Sequence, residues 1–187
     1  SNSLLKRKLS ETSMEKVVPL KKMSPSSNVR IGPFNVKLVS LNHSIPEPNG
    51  LIIRTKVGTL VHTGDWKFYK DPVIGQACDE EELRKLGNEG VLAMMCDSTN
   101  ALVSGTAGSE GSLKKHLHNL ISECKNRVAV GCFASNVARF QTIAEVAEHC
   151  GRHVVLVGRS LYRINQVARE NGYFRHLSAF VSEEDAG

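Results

Sequence analysis

The chain has 187 residues, of which 41% are hydrophobic and 23% charged, enough for one large domain or two small ones with a packed core. No apolar run approaches the roughly 20 residues of a membrane-spanning helix, and no signal-peptide pattern opens the chain, so a helical membrane protein is not expected. A net charge of +5 favours a polyanionic partner, but much of that excess lies in the first thirty residues and does not by itself establish nucleic-acid binding.

In chain order, residues 3–12 carry leucines at helical spacing with lysines outside, and predict a helix. Residues 13–28 are polar, with Pro and Lys, and read as a loop or short extended segment whose basic side chains form a solvated surface. Three alternating apolar runs follow at 36–41, 51–55 and 59–62. Asn49-Gly50 separates the first two and Val57-Gly58 the last two, which predicts antiparallel strands joined by tight turns. Residues 68–76 contain Asp71-Pro72 and are irregular. A short amphipathic helix over 79–86 has Asp79 as its N-cap and Gly87 as its stop.

Residues 91–96 (VLAMMC) form an apolar run too short for a helix, so a buried strand is expected, delivering Asp97-Ser98-Thr99-Asn100 to its end. The Gly/Ser-rich stretch 104–108 marks a domain boundary, dividing the chain into 1–108 and 109–187. Beyond it, helix and strand alternate. The expected elements are a helix over 109–125 capped by Ser109, a strand over 127–133, a helix over 136–150 capped by Ser135 or Asn136, a strand over 153–157, and a helix over 160–171. Gly151 and Gly172 stop the last two helices. Repeated βα units of this kind imply a parallel sheet covered by helices. The tail, 178–187, turns acidic.

Several residues sit where chemistry is commonly placed. His43 follows the first strand of the hairpin set and Asp65 the third, and ligands are often held on loops at strand ends. A hydrogen-bonded turn residue and a helix cap are the alternatives. Asp97 stands at the carboxyl end of a strand, which suits a functional site and equally suits a turn cap. In FASNVAR, the turn at Ser135 and Asn136 could offer backbone amides to a phosphate, with Arg139 one turn into the helix; a plain cap with a surface Arg reads as well. Arg159 and Ser160 in GRSLYRINQ repeat the strand–turn–cap arrangement. Neither segment is a Walker loop or GxGxxG, so no nucleotide cofactor is indicated.

Other pairs look like sites and are not read as such. His116 and His118 are two apart on a helix and face different directions. His62 alternates on its strand, and His149 and His153 bracket Gly151. Cys96 has no second Cys spaced to help it bind zinc. The five cysteines are odd in number and contain no CxxC pair, which fits free thiols in a reducing cytoplasm.

The combination NHSIPE, HTGDWK, CDSTN, FASN and GRS resembles the ribonuclease J family, β-CASP nucleases of the metallo-β-lactamase superfamily, over roughly 29–172. The resemblance implies an α/β fold: the second half of a metallo-β-lactamase αββα sandwich (1–108) followed by part of a β-CASP domain with a parallel βα sheet (109–187). It also implies that His43 and Asp65 are metal ligands, Asp65 bridging two zinc ions. Asp97 then holds a catalytic position that steadies a downstream His, and Ser135, Asn136, Arg139, Arg159 and Ser160 face RNA. Family members often form dimers or tetramers, so a homo-oligomer is expected of the full-length protein. The HxHxDH motif that supplies most of the zinc ligands occurs nowhere in this chain, and neither does the later HxSGH segment. The chain therefore reads as an internal piece of a zinc-dependent ribonuclease, inactive alone. Two other readings stay open: a non-catalytic α/β module that binds RNA or protein, and another metallo-β-lactamase hydrolase such as a lactonase or thioesterase.

Overall fold

A computed structural model describes residues 2–24, 27–106 and 108–186. By its internal contacts the chain divides into two units, Lys21–Gly108 and a second made of Ser1–Leu20 with Ser109–Gly187. The helix nearest the N-terminus therefore packs with the second unit rather than with the hairpins that follow it in sequence.

The first unit is a five-stranded mixed sheet in the order β1 (Asn28–Ile31), β2 (Phe34–Ser40), β3 (Asn49–Arg54), β4 (Thr59–His62) and β5 (Ala93–Met95). The first four strands pair antiparallel, and β4 pairs β5 in parallel. Cross-strand partners share a face. Lys37, Ile52, Val61 and Met94 are thus aligned, because Lys37 opposes Ile52, Ile52 opposes Val61 and Val61 opposes Met94. α2 (Glu80–Glu89) covers that face. Its Leu86 joins Val39, Ile52 and Val61 in a buried cluster, with Leu83 against it. Each such side chain contributes about 1.5–3 kcal/mol on leaving water. Lys37 Nζ donates to Glu82 Oε1 at 2.5 Å and Arg54 Nη2 to Glu89 Oε2 at 2.7 Å, so α2 is also tied at both ends.

Three local expectations for this unit change. Asn49-Gly50 is not a turn: both residues lie in β3, and the connection from β2 is the longer loop 41–48. Glycine is required there by close approach. A Cβ on Gly50 would stand 3.1 Å from His62 O, Leu41 Cδ1 and Val39 Cγ1. The run 91–96 does form a strand, but an exposed one, since β5 is paired on one side only and Met94 is 62% exposed. α2 runs past Gly87 to Glu89 and ends at Gly90, whose φ of 95° suits a residue without a Cβ. Strand β1 was not anticipated. Its signal is the pair Val29 and Ile31 before Gly32-Pro33, with Gly32 at φ 56° closing the hairpin.

In the second unit, α1 (Asn2–Glu11) lies along α5 (Arg159–Glu170). Arg7 pairs with Glu170, and Arg163 Nη1 donates to Glu11 Oε1 at 2.6 Å. α4 (Val137–His149) is the central helix, burying Val137, Ala138, Phe140, Thr142, Ala144, Val146 and Ala147. α3 (Leu113–Ser122) packs against it, with Lys114 Nζ 2.5 Å from Glu145 Oε2. Phe140 meets Phe174 edge-on at 5.0 Å and stacks on Phe180 at 5.5 Å. Asp79 and Asn136 are the N-caps expected of them, accepting from Glu82 N and Arg139 N. Ser109 is not: α3 starts only at Leu113, and Ser109 Oγ instead accepts from Ser112 N.

The α/β class holds, but the strands expected at 127–133 and 153–157 do not form. A strand is defined by a hydrogen-bonded neighbour, and among the described residues the only such link here is a single parallel bridge, Val155 to Val181. Both segments run without a ladder, and Phe133 and Val157 are exposed. Replacing Ile52, which is 0% exposed, by Ala should lower stability by about 2–5 kcal/mol, whereas Val57→Ala, at 84% exposure, should shift it by less than about 0.5 kcal/mol. Urea unfolding of the two variants checks both.

Candidate metal-edge site and helix-start turns

β2 and β4 both run antiparallel to β3, and β5 runs parallel to β4. The carboxyl ends of β2, β4 and β5 therefore lie on one edge of the sheet, and His43, Asp65 and Asp97 are the residues just past those ends. Hydrogen bonds stitch the three loops together. Lys67 N donates to Asn42 O at 2.7 Å, and Thr63 N to Met95 O at 3.0 Å. Asp97 N donates to Thr63 Oγ1 at 3.2 Å, Trp66 Nε1 to Asp97 O at 3.2 Å, and Tyr69 OH to His43 O at 3.2 Å. Asn42 is buried, and its side chain carries the entry to α2 by donating to Gln76 O and accepting from Cys78 N.

Asp97 bends its own loop. Its Oδ1 accepts from Thr99 Oγ1 at 2.5 Å and from Thr99 N at 3.1 Å, the pattern in which an Asp side chain mimics a backbone turn. The Thr99 bonds, with a smaller contribution from the nearby His43, hold the Asp97 carboxyl below its ordinary range. His43 is half-buried, its Nδ1 3.2 Å from Ser44 Oγ. Asp65 is exposed. His62 takes no part in this edge: its Nδ1 accepts from Gly64 N at 3.0 Å.

The fit to a metal is incomplete. Among the described residues, no group of three or more His, Cys, Asp or Glu side chains is placed to hold an ion, and a catalytic zinc needs about three protein ligands. The edge brings His43, Asp65 and Asp97 together as loops, not as a finished cage. Sequence reasoning missed the residues that build the edge, Thr63, Trp66, Tyr69 and Thr99. The Thr two residues after Asp97 and the single Trp beside Asp65 were the available signals.

The residues of the FASN turn are close together in the second unit. Asn136 Oδ1 accepts from Arg139 N at 2.9 Å, and Ser135 is exposed on the turn before it. Arg139 is engaged: its Nε and Nη2 donate to the two carboxylate oxygens of Glu110 at 2.8 and 3.2 Å. Arg159 and Ser160 open α5 behind Gly158, whose φ is 106°, and no side chain caps that helix. Both line an open groove of about 890 Å³ with Arg7 and Arg163, whose guanidiniums are paired to carboxylates. All five cysteines are free thiols. Burial, reinforced by Glu80 and Asp79, pushes the Cys78 thiol up to about 11.

These elements make the chain an α/β segment, and residues 125–186 match the family described as "Ribonuclease J, beta-CASP domain". Most of the chain is similar to part of several ribonuclease J proteins. It is 44% identical over 170 residues to ribonuclease J of Sinorhizobium meliloti, an alignment covering 91% of this chain and 30% of that protein. It is 39% identical to ribonuclease J of Corynebacterium glutamicum, with 88% and 23% covered. With ribonuclease J2 of Bacillus subtilis it shares 33% identity, with 98% and 33% covered. The chain thus spans about a third or less of the length of these relatives. A crystal structure of a protein of unknown function from Enterococcus faecalis V583 shares the fold, with a TM-score of 0.60 at 20% identity, covering 89% of this chain and 42% of that one.

Two outcomes follow from the site. Thr99→Val removes the strongest bond to the Asp97 carboxylate, so the Asp97 pKa should rise toward the ordinary value near 3.9. A carboxylate with a lowered folded value stabilises the fold above about pH 4 and loses that contribution as pH falls through the lowered value. The variant should therefore show a smaller acid-induced loss of stability, read by carboxyl NMR titration and unfolding at several pH values. Among the thiols, exposed Cys124 should alkylate first at pH 8 and Cys78 should lag by tenfold or more, on the order expected when the thiolate fraction is suppressed; mass spectrometry of timed samples decides.

Proposed function

We propose that the chain is part of a zinc-dependent ribonuclease of the metallo-β-lactamase and β-CASP type, which hydrolyses RNA phosphodiesters in RNA processing and decay. The observation that carries this reading is the meeting of the His43, Asp65 and Asp97 loops on one sheet edge in a chain related to ribonuclease J. In this reading His43 and Asp65 each contribute a donor to a two-zinc cage completed by donors beyond those this chain brings together. Zinc would supply a Lewis acid and an activated water. Asp97 steadies the edge beside them, and Ser135, Asn136, Arg139, Arg159 and Ser160 lie on the RNA-facing side of the second unit. In this reading the 187-residue chain alone is inactive, because a two-zinc centre needs more donors than His43 and Asp65 supply.

The working protein is cytoplasmic and homo-oligomeric in this reading. No described helix is long and apolar enough to cross a membrane. The shortage of donors also favours one alternative, a non-catalytic RNA- or protein-binding module. The purified chain, incubated with end-labelled RNA with and without zinc, should leave it intact; zinc-dependent cleavage would overturn the claim of inactivity. The longest natural product containing this chain should hold about two zincs by elemental analysis, and His43→Ala and Asp65→Ala should each lower that content. A metal-free product would leave the binding-module reading standing.

A further inference from the structure

Arg139 stands one turn into α4, where a guanidinium could reach a phosphate, yet both of its donors to Glu110 are taken up in a fork-like pair. The same Glu110 carboxylate accepts from Asn136 Nδ2 at 3.3 Å. Asn136 uses its other end, Oδ1, to cap Arg139 N. One carboxylate therefore fixes both the side chain that caps α4 and the arginine one turn later. Glu110 itself is only 11% exposed and comes from the stretch before α3, where the helix expected from 109 is delayed to Leu113. A carboxylate this enclosed, receiving three hydrogen bonds, is a specific tie rather than a loose surface pair.

We infer that Glu110 is a positioning residue for the 133–136 turn: it orients Asn136 and occupies Arg139, so the turn meets RNA at Ser135 and not through the arginine. This rests on the RNA reading above for what the turn is for. It stands apart from that reading for what Glu110 does to the turn. Two consequences separate it from a direct Arg–phosphate contact. An arginine that touches phosphate contributes to the salt dependence of binding, whereas one committed to an internal carboxylate does not. Residues that act through one tie also have non-additive effects.

The test uses the full chain, a fluorescein-labelled 20-nucleotide single-stranded RNA and three variants: Glu110→Ala, Arg139→Ala and the double variant. Glu110→Ala and Arg139→Ala should each weaken binding by about three- to tenfold, and the double variant by no more than the worse single one. The slope of log affinity against log salt should be unchanged in Arg139→Ala and in the double variant, and should steepen in Glu110→Ala only where the released arginine reaches a phosphate. A slope reduced by about 0.7 in Arg139→Ala, or additive losses, would show that the arginine contacts phosphate and would overturn the inference. Amide exchange supplies a readout independent of RNA. Freed of Glu110, the Asn136 cap should open more often, and Arg139 N–H should exchange about tenfold faster; unchanged exchange in Glu110→Ala refutes the positioning role. If Glu110→Ala does not fold, Glu110→Gln carries the same comparison, since it keeps one acceptor oxygen and should fall between the wild type and Arg139→Ala. Should the wild-type chain fail to bind the RNA at all, the RNA reading fails, and the exchange experiment alone upholds or overturns the tie.

Discussion

Strand direction is the constraint on which the candidate edge depends. Three strands can send their following loops to one place only if they run the same way, and β2, β4 and β5 do, because β3 turns back between the first two and β5 joins β4 in parallel. His43 and Asp97 are far apart in sequence, and their proximity follows from this arithmetic and not from local preference. The loops then hold each other by backbone and hydroxyl bonds: Thr63 serves both β5 and Asp97, and Trp66 reaches the Asp97 carbonyl. A segment built this way presents a shaped edge before any ion is considered, as sites set on rigid scaffolds do.

The second unit positions its polar turns differently. There the organising element is α4, whose apolar face is buried on most sides, and the groups at its start are set by side chains rather than by a sheet. Asn136 supplies the cap, and Glu110 reaches over from the stretch before α3. Farther along, Arg169 lies over the Phe180 ring at 5.1 Å and donates to the carbonyls of Phe174, Leu177 and Ser178. Phe174, buried at φ 60°, is held by these contacts and by Phe140. Strain of that kind persists only where neighbours over-determine it.

Much of this was legible in the residues. Leucine spacing found α1, the Asp79 and Asn136 caps located the starts of α2 and α4, and the Gly151 and Gly172 stops located the ends of α4 and α5 within a residue or two. Alternation found β2, β3 and β4. What could not be read were properties decided by distant partners. Gly50 looked like turn chemistry because Asn-Gly usually is, but its requirement comes from His62 and Leu41 crowding against it. The apolar runs at 127–133 and 153–157 have strand composition, and composition cannot supply the neighbour that makes a strand. The Glu110–Arg139 tie was invisible for the same reason: nothing local in SEGS or FASNVAR says that they meet.

β5 differs from the rest of its sheet in how it is reached. The hairpins β1 to β4 close over loops of at most eight residues, whereas β5 returns to β4 only after α2 and a long irregular connection. Closing that longer loop costs more chain entropy, and contacts between sequence-distant segments form late. Three residues paired on one side, with Met94 and Met95 open to solvent, return little of that cost. Loop closure and contact separation therefore place β5 after the hairpins in the expected order of assembly. Because Asp97 follows β5, its place beside the His43 and Asp65 loops depends on the pairing of this one short strand with β4.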